Sequence, residues 1–239
     1  MRSDIEHHSH IPVIYEDNHL LVIVKPVNVP TQEDESGDPD LLTLLKEDLK
    51  HRHRKPGQVF LGLVHRLDRP AGGVMVFAKT SKSAARLSDQ IRTHLMKKHY
   101  YAVIHGRPDA ITGSLQHYLI KDSATNTVKT ASVQNKEAKE ARLNYRVIGQ
   151  HDRFSLVRID LLTGRPHQIR VQMSSIGCPL FGDQKYGANV NKLGQQLALW
   201  STMLSFAHPT SKETLTFNAL PPNENPWSLW SESIYHSED

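Results

Sequence analysis

Apolar positions along the chain follow two periodicities. Leu20-Leu21-Val22-Ile23-Val24 is a short continuous apolar run stopped by Lys25-Pro26, which predicts a strand, and Pro26 and Pro30 mark a loop behind it. Asp38-Pro39 reads as N-cap and first helical residue. Leu42, Leu45 and Leu49 follow at helical spacing, so a helix is predicted over residues 39–51. Residues 60–68 read as a strand entering a turn at Pro70-Ala71-Gly72-Gly73, with Val74-Met75-Val76-Phe77-Ala78 returning. Ser81 is positioned to cap a second helix that carries Ala84, Leu87, Ile91 and Leu95 on one face. Tyr100–Ile104, Leu143–Ile148 and 154–162 are further strands, and Ser155, Val157, Ile159 and Leu161 share one face of the last by the two-residue alternation. The polar stretch 121–140 suits a hairpin or exposed loops. Thr163-Gly164-Arg165-Pro166 opens a third helix, with Pro166 at its first position, Ile169, Met173 and Ile176 as its buried stripe, and Gly177 ending it. Strands are expected again over 197–204 and 215–217.

Many strands joined by hairpin-length turns, with few helices, point to an α+β domain built on a mainly antiparallel sheet. No glycine-rich nucleotide fingerprint accompanies them, which disfavours a doubly wound sheet. The organisation expected is a flexible tail over 1–11, one domain over 12–222, and a C-terminal tail over 223–239.

Composition narrows the class. With 239 residues, 38% of them apolar, the chain is long enough to bury a real core. No apolar run approaches the roughly 18 residues of a membrane span, and the first residues lack the apolar centre of a signal peptide. The single cysteine, Cys178, allows no internal disulfide and reads as a buried thiol in a cytoplasmic protein. A formal charge of +4 and a sequence pI of about 9.1 suit a polyanionic partner. His7, His8 and His10, or His51 and His53, lack the accompanying acidic or thiol ligands that a metal site would need.

Three segments carry candidate chemistry. In Val64-His65-Arg66-Leu67-Asp68-Arg69 two arginines flank an aspartate beside a glycine turn. A carboxylate beside guanidinium groups stays ionised at neutral pH and can serve as nucleophile or base; the same pattern also makes a salt-bridged turn. Lys97-Lys98-His99-Tyr100-Tyr101 offers cations for phosphate and rings for a base, but also suits an ordinary strand start. Gly164-Arg165-Pro166-His167-Gln168-Ile169-Arg170 sets Arg165 beside the amides of a helix start, with Arg170 one turn in, within reach of a buried carboxylate. The basic run 50–55, containing Arg52 and Arg54, is either a solvated helix end or a patch for phosphates.

Taken in order, these segments resemble the signatures of the RluA-type pseudouridine synthases. The matching stretches are His65-Arg66-Leu67-Asp68 with Val74–Thr80, Lys98-His99-Tyr100-Tyr101-Ala102, and Leu162–Val171, flanked by Val24-Lys25-Pro26, Pro179–Asp183 and Ala207-His208-Pro209. The resemblance covers about residues 12–222. It implies a mixed, mainly antiparallel sheet flanked by helices and loops, with an RNA cleft across it, and an enzyme that isomerises specific uridines of rRNA or tRNA without metal or organic cofactor. Asp68 would be the catalytic aspartate, Arg66 would enter the space of the flipped uridine, Tyr100 would stack on the uracil, and Arg170 would pair with Asp68. Arg165, His167, Lys97, Lys98, Arg52 and Arg54 are the expected RNA contacts, and the working form is expected to be a monomer. An alternative is an RNA-binding protein of the same fold without activity. Two departures stand out: Ala71-Gly72-Gly73 replaces the usual Thr-Ser-Gly, and Pro166 replaces a Thr or Ser. The N-terminal RNA-binding domain of many relatives is not expected here.

Overall fold

The computed structural model describes residues 11–235. The expected tail over 1–11 and the histidines at 7, 8 and 10 therefore lie, apart from Ile11, outside the described residues. Eleven strands form one sheet: β1 (Val13–Glu16), β2 (Leu20–Lys25), β3 (Gly62–Leu63), β4 (Gly72–Ala78), β5 (Lys97–His105), β6 (Thr112–Asp122), β7 (Thr127–Ala131), β8 (Lys139–His151), β9 (Phe154–Leu161), β10 (Leu199–Ala207) and β11 (Thr214–Asn218). Their order is β1-β2-β4-β10-β5-β9-β8-β6-β7, with β11 added to β10 and β3 to β4. The pairs are antiparallel except β4 with β10, which meet in parallel only through Gly72 opposite Trp200 and Gly73 opposite Ser201.

That short parallel contact joins two antiparallel halves, and the glycines make it possible. A Cβ on Gly73 would lie 2.2 Å from the Ser201 carbonyl oxygen, and φ there is +114°. A Cβ on Gly72 would lie 2.3 Å from the Trp200 ring. The third glycine, common to Thr-Ser-Gly and Ala-Gly-Gly, lets the two backbones close on each other, and the departing position, Gly72, makes room for the Trp200 ring. Gly73→Ala is expected to cost about 2–4 kcal/mol, from strain plus overpacking. An unchanged urea midpoint would show that the halves are not joined there.

Three α-helices cover the sheet among the described residues: α1 (Leu41–Arg52), α2 (Ser81–Arg92) and α3 (Gln168–Ser175). Leu41, Leu45 and Leu49 of α1 are buried in the main core with Ile23, Met75, Phe77, Ala102 and Ile159. Leu87 of α2 is buried in a second cluster with Val74, Val76 and Phe206. The helix starts shift slightly from expectation because other side chains reach the free amides. Asp40, not Asp38, accepts from Thr43 N, and Thr80, not Ser81, accepts from Ser83 N. Pro166 lies outside α3. The Gln168 side-chain oxygen accepts from Thr163 Oγ1 (2.8 Å) and Arg165 N (3.0 Å), which closes residues 163–167 into a turn before the helix.

Two further expectations change. The strand over 60–68 reduces to two paired residues, because the chain leaves the sheet there to build the wall of a cleft. Trp227, in the stretch expected as a C-terminal tail, is buried, and Trp230, Ile234 and Tyr235 pack on the same cluster as Leu156 and Trp200. Among the described residues no helix is long and apolar enough to cross a membrane.

Candidate active site

A cleft of about 980 Å³ opens where the two halves of the sheet meet. Its floor comes from the turn before β4 and from β5, its far wall from the start of α3, and its rim from the 184–196 loop and the tip of the β6–β7 hairpin. Asp68 lies in this cleft, only four residues before Gly72.

The Asp68 turn is held by its carbonyl groups rather than by hydroxyls of its own. Thr31 Oγ1 donates to Leu67 O (2.9 Å), and Gln196 Nε2 donates to Pro70 O (2.6 Å). The Lys25 ammonium, fully buried, donates to Arg69 O (3.0 Å), Ala71 O (2.7 Å) and Pro26 O (2.9 Å). Burial lowers the Lys25 pKa to about 7, against the pull of the Asp68 charge. Losing the Thr-Ser hydroxyls therefore leaves the loop anchored at four consecutive or near-consecutive carbonyls. His65 supports it from below: its Nε2 accepts from Val76 N (3.1 Å), and burial keeps the ring neutral, with a pKa of about 3.

Neither arginine adjacent in sequence forms the ion pair with Asp68. Arg66 is exposed at the cleft, and Arg69 turns outward to Asp38 and to Ser36 (2.9 Å). The partner is Arg170, 102 residues downstream, whose Nη1 donates to Asp68 Oδ2 at 3.1 Å. The other edge of the same guanidinium grips Asp183 through Nε and Nη2, both at 2.8 Å. Asp183 is fully buried as a side chain and also accepts from the amides of Lys185 (2.9 Å) and Tyr186 (3.0 Å). Burial opposes its charge, but Arg170 and the two amides outweigh it and hold the carboxyl below its ordinary value. Burial likewise opposes the Arg170 charge, and the two aspartates more than restore it.

Tyr100 lies on β5 beside the aspartate and is 5% exposed. Burial raises its pKa well above the ordinary phenol value, a hydrogen bond with Ser201 opposing and Asp68 adding to the rise. The phenol stays protonated at neutral pH. Lys98 shares the Tyr100 face of β5 by the strand alternation and lines the cleft, where burial lowers its pKa. Arg165 and His167 line it as well; Arg165 Nε donates to Glu140 O (2.8 Å).

Three expected RNA contacts are not among the residues that line this cleft. Lys97 is exposed on the opposite face of β5. Arg52 pairs with Glu16 (2.8 Å) and Asp48 (2.7 Å) at the mouth of a separate cavity, and Arg54 is exposed beyond the end of α1. His53 pairs with Glu16 at 2.8 Å. Two contributors escaped the sequence reading as site residues, Asp183 and Lys25. Both stood in matched segments, and the available signal was a charge in an otherwise apolar stretch, which must find a partner if buried. Cys178 is buried, and burial pushes its thiol above the ordinary value.

A family model described as RNA pseudouridylate synthase matches residues 19–175, a span that holds Asp68, Tyr100 and Arg170 together. The chain belongs to the RNA pseudouridylate synthase family. It is 35% identical over 226 residues to ribosomal large subunit pseudouridine synthase D of Zymomonas mobilis, covering 90% of this chain and 70% of that one. An uncharacterized RNA pseudouridine synthase of Mycoplasma genitalium is 34% identical over 215 residues, covering 87% of this chain and 66% of the relative. The chain thus spans about two thirds of the length of that relative. Human RNA pseudouridylate synthase domain containing 4 has the same fold, with a TM-score of 0.74, 24% identity, and 88% of each chain covered.

Proposed function

We propose that this pseudouridylate synthase converts uridine to pseudouridine in RNA, with Asp68 as the catalytic carboxylate. The observation that carries the reading is the Asp68–Arg170–Asp183 ion chain at the floor of an open cleft. The N-glycosidic bond of the target breaks, the uracil turns, and a bond forms between its C5 and the ribose C1′, while the C5 hydrogen leaves as a proton. Attack by Asp68 on the ribose, attack on the ring, and removal of a ribose proton share one requirement, an ionised carboxylate with a fixed direction. Arg170 Nη1 fixes the direction of the carboxylate, and Asp183 keeps Arg170 aimed. Tyr100 offers a buried ring face for the uracil and a proton-bearing hydroxyl.

The base must leave its stack, which costs a few kcal/mol and is cheapest in loops and bulges. Arg66, exposed at the cleft, is suited to fill the vacated space. Lys98, Arg165 and His167 are suited to hold the backbone of the flipped nucleotide without reading sequence. The names of the ribosomal relatives favour RNA of the large ribosomal subunit as the substrate, in the cytoplasm. The test is incubation of the purified protein with large-subunit ribosomal RNA and with transfer RNA, followed by mapping of pseudouridine. New pseudouridine in the ribosomal RNA, without released uracil, is expected. Uracil release would identify a hydrolase, and a mark confined to transfer RNA would reassign the substrate.

A further inference from the structure

His167 occupies an unusual place. It is the N-cap residue of α3, yet its side chain makes no capping bond, and its backbone is left-handed at φ +50°. Left-handed backbone is disfavoured for a residue with a Cβ and persists where the surroundings impose it. The His167 side chain is held by Tyr186. His167 Nδ1 lies 2.7 Å from the Tyr186 hydroxyl, and the rings meet edge to face.

The tautomer is assigned from the hydrogen-bond partners. The Tyr186 hydroxyl oxygen already accepts from Val128 N at 2.8 Å. A hydroxyl has one proton to give, and among the described residues His167 Nδ1 is its available acceptor. With that proton given to Nδ1, Nδ1 is bare and the ring hydrogen is assigned to Nε2. His167 lines the cleft and Tyr186 is not among the residues that line it, and Asp68 acts on the imidazole electrostatically. The same Tyr186 ring lies 5.1 Å from the Arg170 guanidinium carbon, and its anchor, Val128, belongs to β7, whose hairpin reaches the cleft through Asn126.

We propose that Tyr186 is a positioning residue: anchored by the Val128 amide, it fixes His167 with Nε2–H presented to an acceptor oxygen of the nucleotide bound beside Asp68. Burial keeps His167 neutral at pH 7, as a donor that does not cancel the Asp68 charge must be. The role in turnover rests on the pseudouridine reading; the tautomer does not.

Two measurements separate them. Nitrogen-15 spectra of histidine-labelled protein without RNA should show His167 protonated at Nε2 with a hydrogen-bonded Nδ1. In Tyr186→Phe the Nδ1 signal should move to the unbonded position. A protonated Nδ1 in the unsubstituted protein, or no change in Tyr186→Phe, overturns the assignment whatever the substrate. In turnover, Tyr186→Phe should lower kcat/KM about tenfold, the size of one lost hydrogen bond. Its acid limb should move to higher pH, because the lost bond had favoured neutral His167. His167→Asn, which tolerates the left-handed backbone, should be impaired similarly, and the double variant no further. Additive losses, or a uniform loss at all pH with a lowered melting temperature, would make Tyr186 a packing residue only.

Discussion

Asp68→Asn is expected to reduce pseudouridine formation by about 10³-fold or more while RNA binding persists. Asparagine keeps the shape of the side chain and an oxygen for the Arg170 Nη1 hydrogen bond now made at 3.1 Å. The turn should stay in place, because its anchors are backbone carbonyls held by Thr31, Lys25 and Gln196. What is lost is the negative charge that all three routes of the reaction need. Removing a charge of the same sign as the RNA should also leave affinity equal or slightly higher. Turnover is counted as release of a hydrogen label from uracil C5, since that hydrogen must leave when C5 bonds to the ribose, and affinity is read by filter binding. Turnover near the unsubstituted level would remove Asp68 from the mechanism.

The second large effect is expected at Asp183, which touches no substrate in this reading. Asp183→Asn leaves the buried Arg170 guanidinium with Asp68 as its remaining charged partner among the described residues, so the cost is expected below the roughly 3–5 kcal/mol of a wholly unpaired buried charge. The loss should appear as a lower urea midpoint, together with a fall in kcat as Arg170 loses its second anchor. The pH dependence has a definite sign. The Asp183 carboxyl is held below its ordinary value, so its contribution is complete above the unfolded value of about 4 and disappears as the pH falls through the lowered one. The deficit of Asp183→Asn should therefore shrink in acid. Adding Arg170→Met, which removes the half-compensated buried charge, should recover part of the stability and none of the turnover. Recovery of turnover would mean that Arg170 does not serve Asp68.

Much of this site was readable along the chain because its parts are local. The apolar run at 20–24, the leucines of α1 and Ala84, Leu87 and Ile91 of α2 announced their elements, since burial of one face sets a strict period. Leu95, expected on the same stripe, falls beyond the end of α2 and is exposed. Asp68, Tyr100 and Arg170 could be named from three ordered segments. The failures were also local in origin. The pattern suggested Arg66 and Arg69 as neighbours of Asp68, but a turn sends the side chains of adjacent residues in different directions, and Arg69 found Asp38. Lys97 and Lys98 looked equivalent, yet the two-residue period of a strand sends one into the cleft and the other to solvent. The basic run at the end of α1 looked like a phosphate patch, but the fold brings Glu16 against Arg52 and His53.

The sequence by itself determined the class of the fold, the family and the segments that line the cleft, because each depends on residues close together in the chain. The Asp68–Arg170 pair was implied by the family resemblance, but only the tertiary structure decided which groups complete it and that Arg66 and Arg69 do not. Asp68 and Arg170 are 102 residues apart, and Asp183 and Lys25 join them from a loop and from a strand end. A charge in sequence has no direction; burial forces it to find a partner across the fold, and the geometry of the two sheet halves selects which one. The same contact explains the altered turn. Ala71-Gly72-Gly73 looked like a loss of hydroxyls beside Asp68; at Gly72, the position that departs, the missing side chain makes room for the Trp200 ring where β4 meets β10.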